Sequence, residues 1–249
     1  MKTRSMRAIV LPAFLLLLVA GCDTSNTKEQ AVSNTTDQGS APAGPHSPML
    51  ATSDRDSWQR PHELMQMIGP DIKGMIIADL FADDGYFTFK LIEAGANVIA
   101  IENDPAKVAA LEQRKKELGL SDERLRIRAV PVGDPGIANA EADVALITHR
   151  YTGIQNKASY ISRLRQGLLP PRPLFIIEWQ HRETPVGPPL AERMPTENIM
   201  DEVGELGYSD IGAHSAKMPY QVIFLATDYM ELDDDTYNTM MEGVEIVPQ

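Results

Sequence analysis

Asp79, Glu102, Asp134 and His149 each stand at or just past the end of an apolar run in this sequence. In an open α/β sheet such positions gather at one edge. Ligands lie beyond the carboxyl ends of the strands, where the strand order reverses. An acid closing the second run, Glu102, has acceptors on both oxygens and suits the two hydroxyls of a ribose. Capping a loop is the plainer role for the same residue. The five histidines, His46, His62, His149, His181 and His214, show no His-x-His or His-x-x-x-His spacing, so no metal centre is expected. His149 and His181 both follow predicted strands and could act as general bases. Arg193, after Gly187-Pro188-Pro189, could meet an anionic acceptor or form a structural salt bridge. Asp233-Asp234-Asp235 lacks the spacing of a calcium loop and reads as a solvated acidic stretch.

The elements that must position these residues alternate in type. Residues 55–68 carry Trp58, Leu64, Met65 and Ile68 at helical spacing. Met75–Leu80 and Asn97–Ile101 are compact apolar runs, suited to strands buried on both faces. Gly85–Ala94 reads as a helix between them. Asp104-Pro105 marks the next helix start, with Asp as N-cap and Pro at the first helical position. Strands are predicted at Leu125–Val130, Asp143–Thr148, Leu174–Trp179 and Tyr220–Ala226. Helices are predicted at 156–168 and at Thr196–Leu206, the latter stopped by Gly207. Residues 180–195 hold prolines and no period, so they read as a loop. Strands alternating with helices predict a three-layer, doubly wound, mostly parallel sheet, with a terminal hairpin adding an antiparallel edge.

The first 54 residues are of another kind. Lys2, Arg4 and Arg7 precede an apolar run of 13 residues, Ala8 to Ala20. That length is short for a membrane span and fits a secretory leader. It ends in Val19-Ala20-Gly21-Cys22, which resembles the lipobox where a bacterial lipoprotein is cut ahead of a lipidated cysteine. Cys22 is the only cysteine of the 249 residues, so a disulfide within the chain is excluded. The expected organisation is a leader over 1–21, a tether over 22–54, a globular domain over 55–228 and an acidic tail over 229–249. From Asp23 to Pro48 the only large apolar residue is Val32, too little to offset the entropy of ordering. The expected address is the bacterial cell envelope, facing the periplasm and anchored by lipid on Cys22. Asp23 after the cysteine resembles an inner-membrane retention signal. A net charge of −12 argues against nucleic acid, whose phosphates need a basic face.

Residues 60–227 resemble a class I S-adenosylmethionine-dependent methyltransferase of the UbiE-like, type 11 kind. The family opens with an acid, then Gly-x-Gly-x-Gly, often followed by Tyr-Phe-Thr. This chain has Asp79, Ala82, Gly85 and Tyr86-Phe87-Thr88 in that register. Ile101-Glu102-Asn103-Asp104-Pro105 matches the acidic motif after the second strand, and Gly133-Asp134 the motif after the third. Asp143–Ile147 resembles the fourth strand, and Tyr160 to Pro171 the helix and turn before the fifth. The stretches from Thr184 to Tyr208 and Lys217 to Gln221 resemble one subgroup. The resemblance implies S-adenosylmethionine as cofactor. It would place Asp79 and Gly85 by the methionine end and Glu102 on the ribose, with Ala82 and Tyr86 also at the cofactor. Asp134 would lie at the adenine amino group, with Asn103 and His149 lining the cleft.

The chain departs from that pattern at the loop. Phe81 stands where the first glycine is expected and Asp83 where the second is. Glycine there lets the backbone approach a ligand and adopt left-handed dihedrals. A phenyl ring at Phe81 could fill the methionine pocket, and Asp83 and Asp84 would set negative charge near a ligand carboxylate. Pro170-Pro171-Arg172-Pro173 replaces the usual Pro-Gly-Gly turn, and His149-Arg150-Tyr151 replaces a segment that more usually contains Asn. The expected function is a methyltransferase-like lipoprotein with no acceptor named by the sequence. The alternative is a non-catalytic descendant that binds a small molecule or a protein in the envelope.

Overall fold

The computed structural model describes residues 55–228. The leader, Cys22, the tether and the acidic tail lie outside the described residues. In chain order the elements are α1 (Arg55–Gln59), α2 (Pro61–Ile68), β1 (Ile76–Leu80), α3 (Tyr86–Glu93), β2 (Asn97–Glu102), α4 (Pro105–Glu117), β3 (Leu125–Ala129) and β4 (Val144–Thr148). Then come a 3₁₀ turn (Tyr151–Gly153), α5 (Lys157–Gly167), β5 (Leu174–Trp179), a second 3₁₀ turn (Leu190–Glu192), α6 (Thr196–Glu205), β6 (Asp210–His214) and β7 (Gln221–Thr227). The sheet order is β3-β2-β1-β4-β5-β7-β6. The first five strands run parallel, and β7 is antiparallel to both β5 and β6. The expected mostly parallel sheet with an antiparallel edge is the observed one.

Alternation along each strand sorts its side chains onto two faces. Ala78, Leu80, Ile99, Ile101, Ile147 and Ile176 pack against Tyr160, Ile161 and Leu164 of α5 and Ile199 and Val203 of α6. Ile77, Val98, Ala100, Leu146 and Ile177 pack against Leu64 of α2, Phe87 and Leu91 of α3, and Leu111 of α4. Each fully buried Leu or Ile adds about 1.5–3 kcal/mol of apolar transfer energy, which the ordering entropy opposes. With both faces covered, the ligand-accessible edge is the carboxyl edge, at the switch point between β1 and β4 where the strand order reverses.

Several element ends differ from the sequence reading by a residue, as at Met75, Val130 and Tyr220, which lie just outside β1, β3 and β7, and one helix is broken. The single helix expected over 55–68 is two helices, broken at Arg60, whose φ is 38°. Pro61 disfavours an α conformation in the residue before it, and starts α2 instead. The strand expected from Asp143 begins at Val144, and Asp143 Oδ2 accepts the Ile76 N–H at 2.7 Å to tie β4 to β1. Asp104 caps α4 as read, accepting the Ala106 N–H at 2.8 Å. The passage from β3 to β4 has no helix. Glu141 braces it, pairing with Arg126 at 3.0 Å and Arg128 at 2.5 Å. The Arg128 hydrogen bond, aided by Arg126, pulls the Glu141 carboxyl down to about 2.

Candidate functional site

The loop from β1 to α3 keeps the backbone of a glycine loop without its glycines. Phe81, Asp83 and Gly85 all have left-handed φ, at 58°, 53° and 77°. Gly85 is required twice over. A Cβ there would lie 2.5 Å from the Phe89 ring and 2.7 Å from Leu111. Asp tolerates the left-handed region through local hydrogen bonds, whereas a phenylalanine carries about 1–2 kcal/mol of steric cost. Packing offsets that cost: the Phe81 ring stacks on Tyr160 at 5.9 Å and lies under the Arg150 guanidinium at 5.4 Å. The Ala82 N–H bonds to the Ile101 carbonyl at 3.0 Å, and the Asp83 N–H to Glu102 Oε2 at 2.9 Å.

Each of the two loop acids has a cation beside it. Asp83 is paired with Lys107 of α4, and Asp84 with Arg55 of α1. Asp84 also accepts the Tyr86 N–H at 3.1 Å, and the Tyr86 hydroxyl donates to Asp56 at 2.6 Å. Lys90 pairs with Asp56 at 2.8 Å, so α1 is strapped across the start of α3.

The other resemblance-derived residues fall at the expected edge, Asp79 and Glu102 buried and Asp134 half-exposed. Asp79 is 2% exposed, and the Thr88 hydroxyl donates to its Oδ2 at 2.5 Å. Burial pushes its carboxyl up to about 7, reinforced by Asp84 and Glu102 and opposed by Thr88. Glu102 is 3% exposed. Its Oε1 takes the N–H groups of Asn103 at 2.8 Å and Asp104 at 3.0 Å, while Oε2 takes that of Asp83. Asp134 Oδ1 accepts the Gly136 N–H at 2.9 Å and faces Arg163 at 3.7 Å. Beside it opens a cavity of about 600 Å³ lined by Val132, Gly133, Asn156, Lys157, Tyr160 and Arg163.

The structure brings His149 to the far side of the same edge. Its φ is 54°, and its ring stacks on Trp179 at 4.4 Å and 19°. Trp58 of α1 stacks on the same indole at 5.6 Å. Gly187 is pressed against it too, since a Cβ would meet Trp179 at 2.6 Å. The Gln221 amide lies 2.6 Å from His149 Nε2. When that amide donates, a neutral His149 carries its proton on Nδ1. His181 is exposed in the following loop. Among the described residues no group of His, Cys, Asp and Glu could hold a metal ion.

Sequence reasoning missed Glu178 and misread Arg193. Glu178, near the end of β5, is 5% exposed and accepts the Tyr151 N–H at 2.9 Å and the Thr152 N–H at 3.4 Å. Burial raises its carboxyl to about 7 against the pull of those N–H groups. One acid inside Leu174–Trp179, a run otherwise apolar, was the available signal. Arg193 forms no ion pair among the described residues. It donates to the carbonyls of Pro188, Gln180, Arg182 and Val186 at 2.7–3.2 Å and so folds the proline-rich loop around itself. Between that loop and β5 lies a cavity of about 210 Å³, with His149, Thr152, Glu178, Trp179, Glu192 and Arg193 in its wall.

No family model matches the chain, and no curated protein matches it. Solved structures do. An S-adenosylmethionine-dependent methyltransferase of Aquifex aeolicus superposes with a TM-score of 0.64 at 17% identity, covering 72% of this chain and 94% of its own. One from Mesorhizobium loti gives 0.51 at 13%, covering 66% and 95%. The cyclase SpnF gives 0.54 at 15%, covering 66% and 80%. The chain thus has the Rossmann-like class I methyltransferase fold. Identities this low carry the fold alone, and a cyclase on it shows that the fold does not fix the reaction.

The site can be set against the cofactor which that fold implies. The left-handed backbone at positions 81, 83 and 85 suits it. The side chains do not. A carboxylate offers about four acceptor sites, and three N–H groups already occupy Glu102, leaving one for a ribose diol. Phe81 puts a ring, clamped between Tyr160 and Arg150, where the first glycine would leave open space.

Proposed function

We propose that this chain is a lipid-anchored protein of the bacterial envelope, related to UbiE-like, type 11 methyltransferases, that holds a small ligand and does not transfer methyl groups. The observation that carries the reading is the loading of Glu102 with backbone N–H groups beneath a loop filled by Phe81. The sequence from Lys2 to Cys22 supports the anchor. A lipoprotein works outside the cytoplasm, where S-adenosylmethionine is not expected in quantity.

One observation favours a second reading, a working methyltransferase of unspecified acceptor: all three loop positions retain the left-handed backbone. In that reading Glu102, Asn103 and Asp134 would hold the nucleoside. Asp79 and Gly85 would shape the methionine end, Ala82 and Tyr86 would also lie at the cofactor, and His149 would line the cleft. The bound cofactor would supply an electrophilic methyl group, and positioning would supply much of the rate. Isothermal titration with S-adenosylmethionine and S-adenosylhomocysteine separates the two. The first reading expects no heat at millimolar ligand. One site of micromolar affinity would revive the second and call for a screen of methyl acceptors. The Phe81→Gly, Asp83→Gly double variant should gain affinity if those side chains are the obstacle.

A further inference from the structure

Glu178 is a buried acid, and among the described residues no Lys or Arg stands within ion-pair distance of it. No side chain among the described residues donates to it, and its hydrogen bonds come from the backbone. Lys157, the cation whose field reaches it, is held at 2.9 Å by both oxygens of Glu202. Arg193 directs its donors to four carbonyls. Removing an acid from water without a counter-ion is costly even where backbone N–H groups bind it, and such a group facing a cavity is a candidate binding determinant. The cavity at Glu178 measures about 210 Å³, below the size range of pockets for drug-sized ligands. Its wall adds a second acid, Glu192, the Thr152 residue, and an apolar side of Trp179, Pro188 and Met194. The net charge of −12 favours the approach of cations.

We propose that this cavity binds a small primary amine in its protonated form, the ammonium on Glu178 and the carbon chain against Trp179, Pro188 and Met194. The proposal deepens the reading of the chain as a small-ligand binder and names the class of ligand. An ammonium group has three donors, and Glu178, Glu192 and Thr152 offer acceptors of the right kind. Affinity depends on ionised Glu178. The charged and titratable groups around it are Lys157 of α5, Tyr151 of the 3₁₀ turn, Glu202 of α6, His149 after β4, and Glu192 and Arg193 of the loop.

Titration calorimetry of the protein with n-propylamine, propan-1-ol and propionate tests this with one carbon chain and three charges. Propylamine stays protonated from pH 6 to pH 8, because alkylammonium groups titrate near 10. The expected result is one-site binding of propylamine at pH 8, several-fold weaker at pH 6, with no binding of the alcohol or the acid. Glu178→Gln keeps the shape and an acceptor for the Tyr151 N–H, and should weaken propylamine by about tenfold or more. If that variant folds poorly, the comparison of pH 6 with pH 8 on the unaltered protein tests the same dependence on ionised Glu178. Absence of propylamine binding at pH 8, or equal binding by Glu178→Gln, overturns the proposal. The Phe81→Gly, Asp83→Gly variant separates the two sites, since it should change nucleoside affinity and leave propylamine affinity as it was.

Discussion

Asp79 and Glu178 are acids that the fold holds away from water, and their titration ties stability to pH. An unfolded Asp titrates near 3.8, whereas burial raises native Asp79 to about 7. Between those values the native state binds more protons than the unfolded chain. The stabilisation is fully present below about pH 4 and is lost as pH rises through about 7, at up to about 1.4 kcal/mol per pH unit for each such group. Asp79→Asn preserves an acceptor for the Thr88 hydroxyl and removes the titration. Its urea midpoint should therefore fall less than that of the unaltered protein between pH 4.5 and pH 7. Parallel curves would mean that Asp79 is ionised throughout.

At the scale of elements, the loop after β5 depends on one side chain. Arg193→Lys keeps the positive charge but loses the planar fork, and a single ammonium cannot reach carbonyls spread from Gln180 to Pro188. The expected cost is on the order of 3 kcal/mol, read as a lower melting temperature, with faster protease cleavage within 180–189. Unchanged cleavage would show that the loop is held by its prolines and by Gly187 against Trp179. The same loop marks how far the sequence could be read. Strand positions, the Asp104 cap and the sheet class follow from periodicity and local chemistry, which act over a few residues. The role of Arg193 depends on carbonyls up to 13 residues away, for which a single sequence carries no periodic signal. At the candidate site, the positions of Asp79, Glu102, Asp134 and His149 were legible, because strand ends are. The direction of their polar atoms was not. The Thr88 bond to Asp79 and the N–H groups on Glu102 are set by turn geometry, and the loop acids are paired with Lys107 and Arg55 from other elements. Glu178 escaped notice because an acid in a buried strand looks the same in sequence whether it meets a partner or a cavity.

For the whole molecule, charge and anchor pull in opposite directions. Cleavage before Cys22 would remove Lys2, Arg4 and Arg7 and leave a net charge of −15. A chain so acidic has no electrostatic attraction to an anionic bilayer, which recruits basic segments. Among the described residues no helix is long and apolar enough to cross a membrane. The proposed attachment therefore rests on acyl chains at Cys22, each buried CH₂ contributing about 0.8 kcal/mol. In a bacterial host making the full chain, the protein should incorporate labelled palmitate and resist release by high salt, and its processed form should start at Cys22. Cys22→Ala should take up no label and retain residues 1–21, because the processing step requires the modified cysteine. Label in the Cys22→Ala protein would place the lipid elsewhere. An unlabelled mature chain released by salt would mean an ordinary secretory leader, and would leave the globular domain free of the membrane.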